Sequence, residues 1–185
     1  MTMKKIYILL TKSDTLVSRV IGLATNDTYT HASISFAPDL QPMYSFSRRF
    51  VHLPLPAGLR VEPLDTGFYQ KYDRIPCALY ELKVTDAVYA AAKTEVERMM
   101  QDAGHCPFNL IGLLLCRMRI PFHRENQYFC SEFVGEVLTR SHALAMPKVP
   151  SLMRPNDYTH LSQLVCLFEG RLNELRERNF RLLAA

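Results

Sequence analysis

The sequence predicts an α+β fold, with helices packed on a mainly antiparallel sheet. Three observations carry this: apolar or alternating runs of strand length, a short proline-bounded turn that folds two of them into a hairpin, and capped segments with helical spacing beside them. A chain of 185 residues reads as one compact domain, 1–185, long enough to bury a core without staples.

Residues 5–11, KIYILLT, are apolar and β-branched, as a buried strand requires. Residues 14–23 follow as a short helix, capped by Ser13 or Asp14, with Leu16, Val17, Val20 and Ile21 on one face. The polar run 26–30 breaks it. Residues 31–36, HASISF, alternate, so His31, Ser33 and Ser35 share one side of a strand. A turn bounded by Pro38 and Pro42 returns the chain through residues 43–47, MYSFS, as the antiparallel partner.

Residues 48–73, punctuated by Pro54, Pro56, Pro63, Gly58 and Gly67, read as a long surface connection. A strand over 77–84 comes next. Thr85 or Asp86 then caps a helix that reaches Ala103, with Val88, Ala92, Val96 and Met99 at helical spacing. Gly104 and Pro107 stop it. Residues 109–117 read as a short buried helix, 127–140 as another, 164–168 as a strand and 171–183 as a charged terminal helix. There is no internal repeat and no low-complexity tract.

Composition narrows the function classes. The net charge of +4, from 22 basic and 18 acidic residues, is a solvated excess without the interleaved aromatics of a nucleic-acid interface, so no nucleic-acid partner is expected. Five cysteines without a CxxC pair argue against a disulfide framework and a zinc site, and favour a reducing compartment. The apolar run after Lys4 and Lys5 is about five residues, too short for a signal peptide. A cytoplasmic protein is expected. No glycine-rich phosphate loop or metal spacing occurs, so neither cofactor nor metal is predicted.

The stretch QYFCSEFVGEVL, residues 127–138, raises the functional question. Phe133, Val134, Val137 and Leu138 form an apolar face, and Cys130 stands at its open N-terminal end. There the helix dipole and unpaired N–H groups favour a thiolate and can hold an oxyanion. Cysteine also serves as a small core hydrophobe, and the helix alone leaves both roles open. Of the six histidines, His52 lies among prolines, His105 and His123 flank turns, and His160 sits downstream. His142 is at the far end of the helix, about 18 Å from the cysteine along its axis. His31 opens a well-patterned strand, the rigid support a catalytic base needs.

Together, THASISF from Thr30 and YFCSEFV from Tyr128 resemble the YiiX/YebB-like branch of the circularly permuted NlpC-type, papain-like cysteine hydrolases. The likeness extends over 6–23, to MYSF at 43–46 and to RPNDY at 154–158, and is specific around His31 and Cys130. It implies a permuted papain-like fold in which His31 is the base and Cys130 the nucleophile. Relatives place a polar residue on the strand after the histidine to orient the ring. Here that strand has no carboxylate, leaving Ser45 as the positional match, Tyr44 as second choice and Asp39 in the turn as the acidic outsider. The backbone of Cys130, with Tyr128 or Gln127, would serve the oxyanion.

The implied activity is hydrolysis of an amide or peptide bond through a thioester. The substrate would be a peptide, an amide or an acyl-bearing molecule; a peptidoglycan substrate is disfavoured without a signal peptide or wall-binding domain. A lipid acyltransferase or thioesterase of the lecithin retinol acyltransferase-like type is the rival within enzymology. A non-catalytic binding protein on the same fold is the rival from outside it, permitted by the missing carboxylate. Residues 108–119 could touch a membrane with Arg117 and Arg119 at the headgroups, although a core helix is the favoured reading.

Overall fold

A computed structural model describes residues 3–12, 27–48 and 57–183. The helix expected over 14–23, and His52, lie outside them. The strands β1 (Met3–Thr11), β2 (His31–Ser35), β3 (Met43–Arg48), β4 (Ala57–Val61), β5 (Pro76–Thr85) and β6 (Val165–Arg171) build one sheet in the order β4-β3-β2-β1-β5-β6. Every neighbouring pair is antiparallel. The helices are α1 (Gly67–Lys71), α2 (Asp86–Gln101), α3 (Leu110–Arg117), α4 (Cys130–Arg140) and α5 (Leu172–Leu183).

From Ile6 to Thr11 every residue of β1 is buried, because both faces of the strand are covered there. Ile6, Ile8 and Leu10 point into a core shared with Ala92, Val96 and Met99 of α2 and with Phe133, Val134, Val137 and Leu138 of α4. Tyr7 and Leu9 point the other way, into a second core closed by Tyr69, Leu172 and Leu175. Period-two alternation thus splits one strand between two layers. Thr85 caps α2 as expected, its Oγ1 accepting the Val88 N–H at 3.4 Å.

Two readings of the sequence are corrected. The segment 48–73 is not merely a surface connection, because it contains β4, which extends the sheet beyond β3 with Phe46 opposite Leu59 and Tyr44 opposite Val61. Its prolines and Gly58 obscured a short alternation in which Leu59 and Val61 face one way and Arg60 and Glu62 the other. The second correction concerns α3. Only its Gly112 and Cys116 are buried, while Ile111 and Leu114 face outward. Among the described residues, no helix is long and apolar enough to cross a membrane.

Candidate active site

Cys130 is the first residue of α4, and His31 the first of β2. Helix α4 packs across β2 and β3, which brings its first turn over the start of β2. The imidazole and the Cys130 sulfur are close enough to perturb each other's ionisation, and the backbone N–H groups of Ala32 and Ser131 also favour the thiolate. Both side chains are nearly enclosed: Cys130 is 7% exposed and the His31 side chain 14%.

The RPNDY stretch holds both ends of this pair. Asn156 Oδ1 accepts the N–H groups of Thr28 and Tyr29 at 3.1 and 3.3 Å, fixing the chain that leads into β2. Two residues on, Tyr158 donates its hydroxyl to the Ser131 carbonyl at 2.7 Å, and Ser131 Oγ bonds the Met153 carbonyl at 2.7 Å. One short segment therefore ties down the histidine's strand and the cysteine's helix.

His31 Nε2 has two partners. Glu62 Oε2 lies at 3.0 Å and Ser45 Oγ at 3.1 Å. The Ser45 hydroxyl donates to the Ala32 carbonyl at 3.0 Å, so it meets the ring with a lone pair. A carboxylate and a lone pair are both acceptors, which places the proton on Nε2 and leaves Nδ1 for the sulfur. Glu62 is in turn held by Ser33 Oγ at 2.7 Å and by the Tyr69 hydroxyl at 3.4 Å. Its position follows from β4, since its backbone N–H continues that strand's pairing onto the Met43 carbonyl at 2.7 Å.

Glu62 is the residue that sequence reasoning missed. The expectation that the histidine's neighbourhood lacks a carboxylate is wrong, because the carboxylate comes from the next strand along rather than from β3. The alternation of Leu59, Val61 and Glu62's side of β4 was the available signal. Ser45 is at the ring, and Tyr44 is not. Tyr44 points to the opposite face, its ring 6.5 Å from that of Phe36, as period-two geometry requires of a neighbour of Ser45. Asp39 closes its own turn, accepting the Gln41 N–H at 3.1 Å. Tyr128 is also displaced from its expected role: its ring packs on Phe46, and its hydroxyl meets Arg140 at 3.4 Å, at the far end of α4 from Cys130. Gln127 pairs its backbone with Arg124.

The charges are mutually dependent. Burial favours neutral forms at all three groups, yet in each case the partners prevail. Burial lowers His31, but the Glu62 carboxylate and then the Cys130 sulfur push it up to about 10. Burial raises Cys130, but the adjacent imidazolium and the Ala32 and Ser131 N–H groups bring it below the ordinary thiol value. Glu62, resisted by burial, is lowered to about 2 by His31, Ser33 and Ser47. These shifts all favour the charged forms, a thiolate beside an imidazolium beside a carboxylate.

By contrast, burial holds the thiols of Cys77 at about 12 and Cys116 at about 11, and also raises that of Cys106. All five cysteines are free. Among the described residues, no group of three histidine, cysteine, aspartate or glutamate side chains could hold a metal ion.

Two residues beyond Cys130, in the same first turn, Glu132 has no exposed side-chain area and is pushed up to about 8 by burial. It accepts the Phe129 N–H at 3.3 Å and an Asn109 Nδ2 proton at 3.5 Å, capping the cysteine's helix. Asn109 also caps α3, its Oδ1 accepting the Gly112 N–H at 2.8 Å. A Cβ at Gly112 would lie 2.6 Å from the Asn109 Cγ. Gly112→Ala should therefore expel the Asn109 carboxamide and weaken both helix starts, lowering stability by about 1–3 kcal/mol. A urea midpoint equal to that of the unaltered protein would show that the carboxamide has another resting place. Comparison with family models, curated proteins and solved structures finds no match to this chain.

Proposed function

We propose that this chain is a cysteine hydrolase of the circularly permuted papain-like type, acting on an amide or peptide bond. The observation that carries the reading is the chain of contacts from the Cys130 sulfur through His31 to Glu62. Nucleophile, base and orienting carboxylate are the parts that thiol acyl transfer needs, each on a strand or helix end that holds it still. The base precedes the nucleophile in the chain, as the permuted order requires. Glu62 supplies the orienting carboxylate that β3 lacks, which supports a catalytic reading over a non-catalytic scaffold.

In this mechanism the Cys130 thiolate attacks the substrate carbonyl carbon, and the carbonyl π electrons move onto oxygen. The first-turn N–H groups of α4, that of Cys130 included, face the developing negative charge. As the tetrahedral species collapses, the imidazolium gives its Nδ1 proton to the departing amine, leaving a thioester. Neutral His31 then takes a proton from water, the resulting hydroxide attacks the thioester, and the acid departs as the thiolate is restored. Glu62 and Ser45 keep the ring's Nε2–H in place throughout, and the Glu62 charge stabilises the imidazolium. An acyl-bearing substrate on the same thiolate is the second reading, favoured by the exposed aliphatic helix that starts beside the site. No helix among the described residues is long and apolar enough to cross a membrane, and a cytoplasmic setting suits five free thiols.

Thiol reactivity tests the reading directly. With limiting iodoacetamide at slightly acidic pH, peptide mapping should find the label on Cys130, because its thiolate persists where ordinary thiols are protonated. p-Nitrophenyl acetate should give a burst of one p-nitrophenol per protein, absent in Cys130→Ala and in His31→Ala. Labelling of Cys130 no faster than that of the exposed Cys166, without a burst, would leave the site without nucleophilic chemistry.

A further inference from the structure

Helix α3 is unusual in being apolar on its outer side. Ile111 is 51% exposed, Leu114 42%, Met118 65% and Ile120 44%, whereas a surface helix ordinarily turns polar residues to water. The first three recur at helical spacing, so they share a stripe, and Ile120 extends it past the helix end. Scattered exposed aliphatics are normal, but several consecutive turns of them mark a contact surface.

The charges around the stripe select its partner. From 103 to 124 the chain contains no aspartate or glutamate, but has Arg117, Arg119 and Arg124. Arg117 is drawn inward toward Asp27, 3.8 Å away. Arg119 and Arg124 are exposed, Arg119 between Met118 and Ile120 in the chain and Arg124 four residues beyond Ile120. Protein-docking centres concentrate aromatic anchors, and the stripe has none, being aliphatic with one thioether. Aliphatic side chains bordered by outward arginines match an acyl layer bordered by anionic headgroups.

We infer that α3 and the turn after it form a seat for an anionic lipid bilayer, with Ile111, Leu114, Met118 and Ile120 inserted among the acyl chains and Arg119 and Arg124 at the headgroups. The seat adjoins the candidate site. The Asn109 N–H that precedes α3 bonds the Tyr128 carbonyl at 3.0 Å, two residues before Cys130, and the Asn109 side chain reaches Glu132 in the cysteine's helix. Docking therefore holds the start of α4 close to the membrane surface. The helix has eight residues, so it lies in the interface and does not span it. The seat does not depend on the hydrolase reading, since it uses none of that site's groups.

Co-sedimentation of the full chain with vesicles tests this. Vesicles of three parts phosphatidylcholine to one part phosphatidylserine should pellet the protein at low salt, and pure phosphatidylcholine should do so far more weakly. Ile111→Ser/Leu114→Ser/Met118→Ser should cost about a hundredfold or more in affinity, by removing the inserted apolar area. Arg119→Ala/Arg124→Ala should cost about twenty-fold on the anionic vesicles and almost nothing on the neutral ones. Cys130 alkylation should be unchanged in the triple serine variant, which reports that the fold is intact and separates this test from that of the hydrolase. Failure of the unaltered protein to pellet, or equal pelleting by the triple variant, overturns the inference. So does a dimer in sedimentation velocity that the triple variant dissolves, because the stripe would then be covered by a second copy.

Discussion

Glu62→Gln is expected to reduce any Cys130-dependent turnover by about a hundredfold or more, while leaving the protein folded. Glutamine has the same shape and still offers an oxygen to Ser33 and Tyr69, so the loss is one of charge. Without the carboxylate, the buried imidazole is no longer held in its charged form, and the thiolate loses the cation that opposes its own burial. The alkylation profile of Cys130 should shift to higher pH. The linkage signs add an independent check. Glu62 is lowered on folding, so its contribution to stability is present above the ordinary carboxylate range and is lost as pH falls toward 2. His31 is raised, so its contribution is complete below about 6.5 and is lost as pH rises through about 10. Glu62→Gln should remove the acidic loss and reduce the alkaline one. An alkylation profile that does not move would take Glu62 out of the proton chemistry and leave a Cys–His dyad.

Ser45 should matter less, since its hydroxyl holds the ring without carrying charge. Ser45→Ala should slow alkylation by a smaller factor than Glu62→Gln. Glutamate at position 45 is not expected to help, because it would set a second carboxylate against Glu62 in a buried pocket.

The largest stability effect outside the site should come from Phe133→Ala, which is expected to cost about 3–5 kcal/mol. Phe133 is fully buried on α4, with its ring 5.6 Å from Phe46 of β3. That packing presses the cysteine's helix onto the sheet carrying the histidine. Removing the ring loses the transfer free energy of the side chain and leaves a cavity between two rigid elements that cannot collapse to fill it. Such a loss is a large fraction of the roughly 5–15 kcal/mol that holds a domain folded. Chemical denaturation should show a lowered midpoint, and Phe133→Leu should recover much of the loss by refilling the volume. A change below about 1 kcal/mol would mean that α4 is held chiefly by the hydrogen bonds from Tyr158 and Ser131.

Local pattern alone was enough to place most elements. β1, β2, β3, β5 and the capped helix α2 announced themselves through period-two or helical spacing, because those side chains must alternate or recur to reach one core. Cys130 at a helix start and His31 at a strand start were legible for the same reason: each is an end of a strongly patterned element. What the spacing of residues could not state was which ends meet. His31 and Cys130 lie far apart along the chain, and only the packing of α4 across β2 joins them. Glu62 was hidden twice, first by the prolines around β4 and then because its neighbour, β3, had no carboxylate of its own. Its place at Nε2 follows from inter-strand register, a long-range property that no local window contains. The outward stripe of α3 was hidden in the opposite sense. An apolar run reads as buried whichever way it faces, and only the tertiary structure decided that Ile111, Leu114 and Met118 have no protein over them among the described residues.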